Sequence, residues 1–204
     1  MKDLYNKTLM VLNTAFQRLE LAVDAPDYVQ RGSHSVFAYK DKTIGTALIQ
    51  KLARVVSSLA ATSVLLQSGL YQKVGVMFRI LDELGEDIQF LRLGTLGDGP
   101  TQLHLDFLDA FYMEEFDKPD DPRVSSQKRP MIAREKIQAA LANAPGNGIN
   151  PSDEKETRRT ISKAYGGYIH AASERVLEMV EGYTDGRRPK YRVLGMLGTP
   201  RQMQ

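Results

Sequence analysis

The residues from which chemistry could be built in this 204-residue chain are three histidines and one dense run of charge, with no cysteine to add to them. The run is Arg79, Asp82, Glu83, Glu86 and Asp87. On a helix, Arg79 and Glu83 stand four residues apart and can form an ion pair. Glu83 and Asp87 put two carboxylates on one side, a spacing able to hold a hard divalent cation if His170 from a facing helix completes the set. Against this, Arg79, Asp82, Glu83 and Glu86 fall largely opposite an apolar seam, the position of an ordinary solvated ion-pair face. His170 stands beside Gly166-Gly167, where a gap left by glycine would let an imidazole do acid–base work. The other reading is a surface or internally satisfied histidine. His34, in a loop, and His104, near the start of a short helix, read as surface residues. No metal and no cofactor is assigned.

A second set lies near the C-terminus. Residues 184–204 hold Arg187, Arg188, Lys190, Arg192 and Arg201 against Asp185 alone, in a chain whose net charge is only +2. Arg187, Arg188, Lys190 and Arg192 could contact phosphates while Tyr191 stacks on a base. They could equally pair with Glu114, Glu115, Asp120 and Asp121 on the same or a neighbouring subunit, or stay solvated. The apolar stretch 193–197 asks for burial somewhere. The glycines of LGTLGDGP follow a helix with no strand before them, so they do not form a phosphate-cradling loop.

Helices must position these groups. Leu4, Leu9, Leu12, Phe16, Leu19 and Val23 predict a helix over residues 3–23, ended by Pro26. Residues 24–40 show no helical period and read as a loop. Ile44, Leu48, Leu52, Val55, Leu59, Thr62 and Leu66 predict a helix over 42–68. Leu70, Val74, Met77, Leu81, Leu84, Ile88 and Leu91 are spaced 4, 3, 4, 3, 4, 3, an a/d seam for a helix over 70–93. The short break at Ser68-Gly69 predicts that these two form an antiparallel hairpin. Shorter helices are expected over 101–116 and 131–143, separated by a polar loop carrying Pro119, Pro122 and Pro130. A last long helix over 152–183 opens with Asn150 as cap, Pro151 in the first turn, and Asp153 and Glu154 at the positive end of the dipole. The Gly166-Gly167 pair inside it fits either close packing against a partner helix or a kink that opens a small cavity.

Composition narrows the function classes. With 42% hydrophobic and 25% charged residues the chain is globular, and the missing cysteines exclude disulfides, thiolate catalysis and zinc–thiolate or iron–sulfur sites. A net charge of +2 is too small for the whole surface to bind a polyanion. The opening MKDLYNKTLM does not resemble a signal peptide, and the low-charge stretch from Val55 to Leu70, with its serines and Thr62, is too polar for a membrane span. A cytoplasmic location with no membrane contact is therefore the expectation. One domain over residues 1–183 and a basic tail over 184–204 are expected.

The segment LLQSGLYQKVGVMFRILDELGEDIQFL, the later YGGYIHAASERVLEMVEGY and the ending GMLGTPR resemble uncharacterised bacterial all-helical proteins. Those are similar in plan to the HEPN-like helical bundles of toxin–antitoxin and phage-defence systems. The resemblance spans about residues 45–95 and 155–200. It implies a compact bundle, often dimeric, whose catalytic members cut RNA with an arginine one to two turns before a histidine on one helix. Here the nearest preceding arginine is Arg159, eleven residues before His170. That is roughly 16 Å along the helix axis, so Arg79 or an arginine from a second subunit would have to serve.

The expected structure is an all-α bundle of five to six helices, with a central antiparallel hairpin and an irregular basic C-terminal tail. The expected function is a non-catalytic, HEPN-like interaction or assembly protein in a bacterial defence or toxin–antitoxin setting, forming homo-oligomers and open to a protein partner. The alternative is a HEPN-like protein that cleaves RNA or binds nucleic acid. It would use His170 as acid–base group, Arg79 as phosphate clamp and Glu83 beside it.

Overall fold

A computed structural model of the chain describes residues 2–145, 148–181 and 189–197. Helix dominates: α1 (Lys2–Glu20), α2 (Ile44–Gln67), α3 (Tyr71–Leu93), α4 (Gln102–Tyr112), α5 (Arg134–Ala142), α6 (Pro151–Ile169) and the short α7 (Ser173–Leu177). Strand among the described residues is confined to two antiparallel pairs, β1 (Asp27–Arg31) with β2 (His34–Ala38), and β3 (Val180–Glu181) with β4 (Lys190–Tyr191). The contacts divide the chain into two compact units, residues 1–53 with 86–148, and residues 54–85 with 149–204. The expected boundary at 183/184 lies outside the described residues.

Two expectations are corrected. Residues 24–40 are not an irregular loop but carry the β1–β2 hairpin. DYVQR and HSVFA supply β-branched and aromatic side chains, and Gly32-Ser33 makes the two-residue turn with Gly32 at φ 57°. The last helix does not run unbroken to residue 183. Its end is a capping motif with no glycine at the left-handed position: His170 is the C-cap, Ala171 takes φ 50°, and the Ala172 N–H reaches back to the Gly167 carbonyl at 3.0 Å. Neither of the two glycines explains the break by close packing. A Cβ on Gly166 would meet open space, and one on Gly167 would meet the flexible Arg175 side chain at 3.2 Å and the Ala172 Cβ at 3.7 Å.

In the first unit, the start of α2, the end of α3, α4 and α5 enclose a core of Ala47, Phe90, Leu91, Phe107, Leu108, Ile137 and Leu141. Burying each large apolar side chain there contributes about 1.5–3 kcal/mol. His104 belongs to this core, which corrects its reading as a surface residue: its ring stacks on Phe90 at 4.1 Å and 2° and is 5% exposed. Backbone donation from Thr101 to Nδ1 at 3.1 Å leaves the ring proton on Nε2, which faces the Phe90 carbonyl at 2.9 Å. The same Thr101–His104 exchange is the capping box of α4, so one residue ends a helix and fills a core. The Gly32-Ser33 turn is tied down by Asp120, whose Oδ1 accepts from the Ser33 backbone N–H at 2.8 Å and from Ser33 Oγ at 2.6 Å.

In the second unit, the later part of α2 buries Val55, Ser58 and Thr62, with Thr62 Oγ1 donating to the Ser58 carbonyl at 2.8 Å. The first part of α3 packs on α6 in antiparallel sense. Gly75 lies under the Tyr168 ring, Phe78 meets Tyr165 at 5.7 Å between ring centres, and Arg79 meets Ser162. A Cβ on Gly75 would stand 2.5 Å from the Tyr168 ring, so glycine is what lets the two helices approach. The segment after β4 folds back onto the α2–α3 turn. The Met196 N–H donates to the Gly69 carbonyl at 2.9 Å, and the Met196 side chain is buried, whereas Leu194 is left in solvent.

Candidate functional site

A cleft of about 380 Å³ in the first unit is lined by Lys51, Asp87, Phe107, Phe111, Arg129 and Arg134, among others. Its floor is ionic. Lys51 Nζ from α2 lies 2.8 Å from Asp87 Oδ2 on α3, and Arg134 Nη1 from α5 lies 2.6 Å from Asp87 Oδ1 and 3.6 Å from Glu86 Oε2. Gln138 Nε2 donates to Glu86 Oε1 at 3.0 Å. Lys51 is also held 4.7 Å above the Phe111 ring centre, where the ring's negative face attracts the ammonium. Glu86 and Asp87 are 2% and 4% exposed, which corrects the expected place of Glu86 on a solvated face of α3: both carboxylates are interior groups. Each carboxylate has cationic or amide donors around it, as burial of charge demands. The arrangement fastens α2, α3 and α5 together, with the cations Lys51 and Arg134 paired to the carboxylates Asp87 and Glu86.

Arg79 and Glu83 lie in the second unit. The Arg79 guanidinium contacts Glu83 Oε1 at 2.5 Å, Asp82 Oδ2 at 3.4 Å and Ser162 Oγ, and its side chain is 15% exposed. A neighbouring network centres on Glu178. It accepts from Arg175 Nη1 at 2.6 Å, from Gln72 Nε2 at 3.0 Å and from the Tyr168 hydroxyl at 3.1 Å. Burial of the Tyr168 phenol, reinforced by its bond to Glu178, raises its pKa.

His170 is exposed at the end of α6. Among the described residues no hydrogen bond or ion pair joins its ring to Arg79 or Glu83. The α3–α6 pairing sets it level with the first turn of α3, about 9 Å along the axis from Arg79 at 1.5 Å per residue. The structure thus brings Arg79 and Glu83 together and leaves His170 apart from them. Of the tail residues, Lys190, Tyr191 and Arg192 are exposed, with Arg192 Nε 2.7 Å from Glu181 Oε2. Arg187 and Arg188 lie outside the described residues. Among the described residues no group of three or more His, Asp or Glu side chains is placed to hold a metal ion. Glu83 is paired with Arg79, and Asp87 with Lys51 and Arg134.

Lys51, Arg134, Gln138 and the interior role of Asp87 were not anticipated from spacing. One signal existed for the first: Lys51 is the only charged residue in the run 43–53, whose other members save Gln50 are apolar or small. Comparison of the chain with family models, with curated proteins and with solved structures returns no match.

Proposed function

We propose that this chain is a non-catalytic helical assembly protein, HEPN-like in plan, working in the cytoplasm of a bacterium in a defence or toxin–antitoxin setting. The observation that carries the reading is the state of Arg79. A phosphate clamp needs an accessible, unspent positive charge, and the guanidinium is already neutralised by Asp82 and Glu83 and bonded to Ser162. Homo-oligomers are part of the proposal. It is supported by the apolar residues that α1 leaves exposed, Leu4, Met10 and Val11.

The same reading takes α2 and α3 as an antiparallel hairpin forming the spine. Three residues connect them, and in the first unit positions descend along α3 as they rise along α2: Ile44 beside Gly94, Lys51 beside Asp87. By length and composition α2 could cross a membrane. We read it as a helix of the bundle, because Lys51 is committed to Asp87 and the polar Ser58 and Thr62 are buried along its packed side. A second reading, nucleic-acid contact through a basic tail, is favoured by the exposure of Lys190 and Tyr191 side by side.

Incubation of the purified chain with structured and single-stranded RNA decides between the enzymatic and assembly readings. The expected outcome is intact RNA, and no change in cell growth on expressing His170→Ala or Arg79→Ala beside the parent. Cleavage that disappears with His170→Ala overturns the proposal.

A further inference from the structure

We propose that the outer edge of β1 pairs with the same edge of a second copy of this chain, joining two hairpins into one four-stranded antiparallel sheet about a twofold axis at Val29. This rests on the assembly reading and names its surface. Arg31 and His34 flank a two-residue turn, so Arg31–His34, Val29–Val36 and Asp27–Ala38 are the pairs that exchange ladder hydrogen bonds. The N–H and C=O groups of Tyr28 and Gln30 therefore point away from β2. Among the described residues no third strand joins this sheet, and neither residue's backbone bonds elsewhere. A lone two-stranded ribbon is marginal in water, and an open edge is a template for another strand. The edge is accessible: Tyr28 is 68% exposed, and Asp27, Gln30 and Arg31 are exposed beside it.

The order of residues selects the occupant. Laid antiparallel on itself about Val29, DYVQR sets Tyr28 opposite Gln30 of the second copy, so all four outward groups on each strand find partners. It also sets Asp27 opposite Arg31 of the second copy, twice by symmetry, in the non-hydrogen-bonded pairing where side chains approach most closely. Centring the axis on Tyr28 instead would bring Gln30 opposite Pro26, which has no N–H to give. The charges are disposed for this exchange. Asp27 has no cationic partner among the described residues, and Arg31 holds only a half-exposed contact with Glu114 at 3.3 Å. Val29 and Val36 are half-buried on one face, while Tyr28 and Phe37, 5.0 Å apart, form an aromatic pair on the opposite face that the joined sheet would continue.

The full-length chain is measured by sedimentation and light scattering across a concentration series, with circular dichroism confirming the fold of each variant. Asp27→Arg sets arginine against arginine across the axis and Arg31→Asp sets aspartate against aspartate. Each is expected to weaken dimerisation by about tenfold or more. The double variant restores opposite charges at both contacts and is expected to return to within about threefold of the parent, which also controls for damage to the hairpin by either single change. Gln30→Pro removes an outward N–H and no backbone bond of the β1–β2 ladder, though it also loses the side-chain bonds of Gln30 to Gly32 and Ser35, so with the hairpin retained by circular dichroism it is expected to abolish the dimer. A dimer indifferent to these changes, or one that the double variant fails to restore, overturns the edge pairing while leaving the assembly reading in place. A chain that stays monomeric at every concentration also overturns it. RNA cleavage by an intact dimer would instead overturn the assembly reading and spare the edge.

Discussion

Replacing Asp87 by asparagine keeps the shape of the side chain and removes the charge on which two cations converge. Lys51 and Arg134 lie 2.8 and 2.6 Å from its two oxygens, and after the change only Glu86 remains to balance them. Breaking a buried ion pair by neutralising one partner typically costs about 3–5 kcal/mol. Here the Lys51 and Arg134 side chains keep 16% and 27% of their exposure, so water recovers part of the loss and the lower end applies, about 3 kcal/mol. For a chain of this size each kcal/mol moves the melting midpoint by about 2–4 °C, so Asp87→Asn should melt about 6–12 °C lower. Thermal and urea unfolding followed by far-ultraviolet circular dichroism measure this directly. Asp3→Asn, which removes the partner of the exposed Lys7, serves as control and should cost at most about 0.5 kcal/mol. A double-mutant cycle with Lys51→Met should return a coupling of about 1–3 kcal/mol, tempered because the lysine also leans on the Phe111 ring. If Asp87→Asn melts with the parent, or the cycle shows no coupling, the interior ion network does not hold these helices and the reasoning fails.

Two further outcomes follow from local geometry. Ala171 ends α6 in the left-handed region at φ 50°, a conformation that costs a non-glycine residue about 1–2 kcal/mol. Set against the greater freedom of glycine in the unfolded chain, Ala171→Gly should raise stability by about 0.5–1 kcal/mol in urea, and a loss would refute the capping assignment. Donation from Ser33 Oγ, then from the Ser33 N–H, with the nearby His34 adding to it, lowers the Asp120 pKa. A depressed folded value means the turn is supported above the unfolded carboxylate range, about pH 4, and that support is lost as pH falls through the folded value. The protection of the Ser33 amide against exchange, taken relative to its intrinsic rate at each pH, should therefore fall in acid, and Ser33→Ala should move the Asp120 titration upward by NMR. An Asp120 titration in the ordinary range in the parent chain would count against the bond.

What could be read from the sequence was whatever a single element decides for itself. The seam of α2 places the helix within two residues of its observed start, and Val74, Leu84 and Leu91 on α3 are buried as their spacing asks. What could not be read depends on distant partners. Glu86 falls opposite the seam, where it looks solvated, and Asp87 lies on its flank beside Leu84 and Leu91; both become interior only when Lys51 and Arg134 arrive from other helices. His104 is a capping residue by local pattern, and only the return of its other ring nitrogen to the Phe90 carbonyl makes it part of the core. The break after Ile169 escapes notice because alanine, not glycine, occupies the left-handed position. The β1–β2 hairpin was in fact encoded locally by Gly32-Ser33 between short alternating runs, too brief to outweigh the surrounding absence of helical period. The candidate site follows the same division. Arg79 and Glu83 meet because they are four residues apart on one helix. Whether His170 could join them depended on how α6 ends, and that was settled by a cap to which the composition of the helix gave no warning.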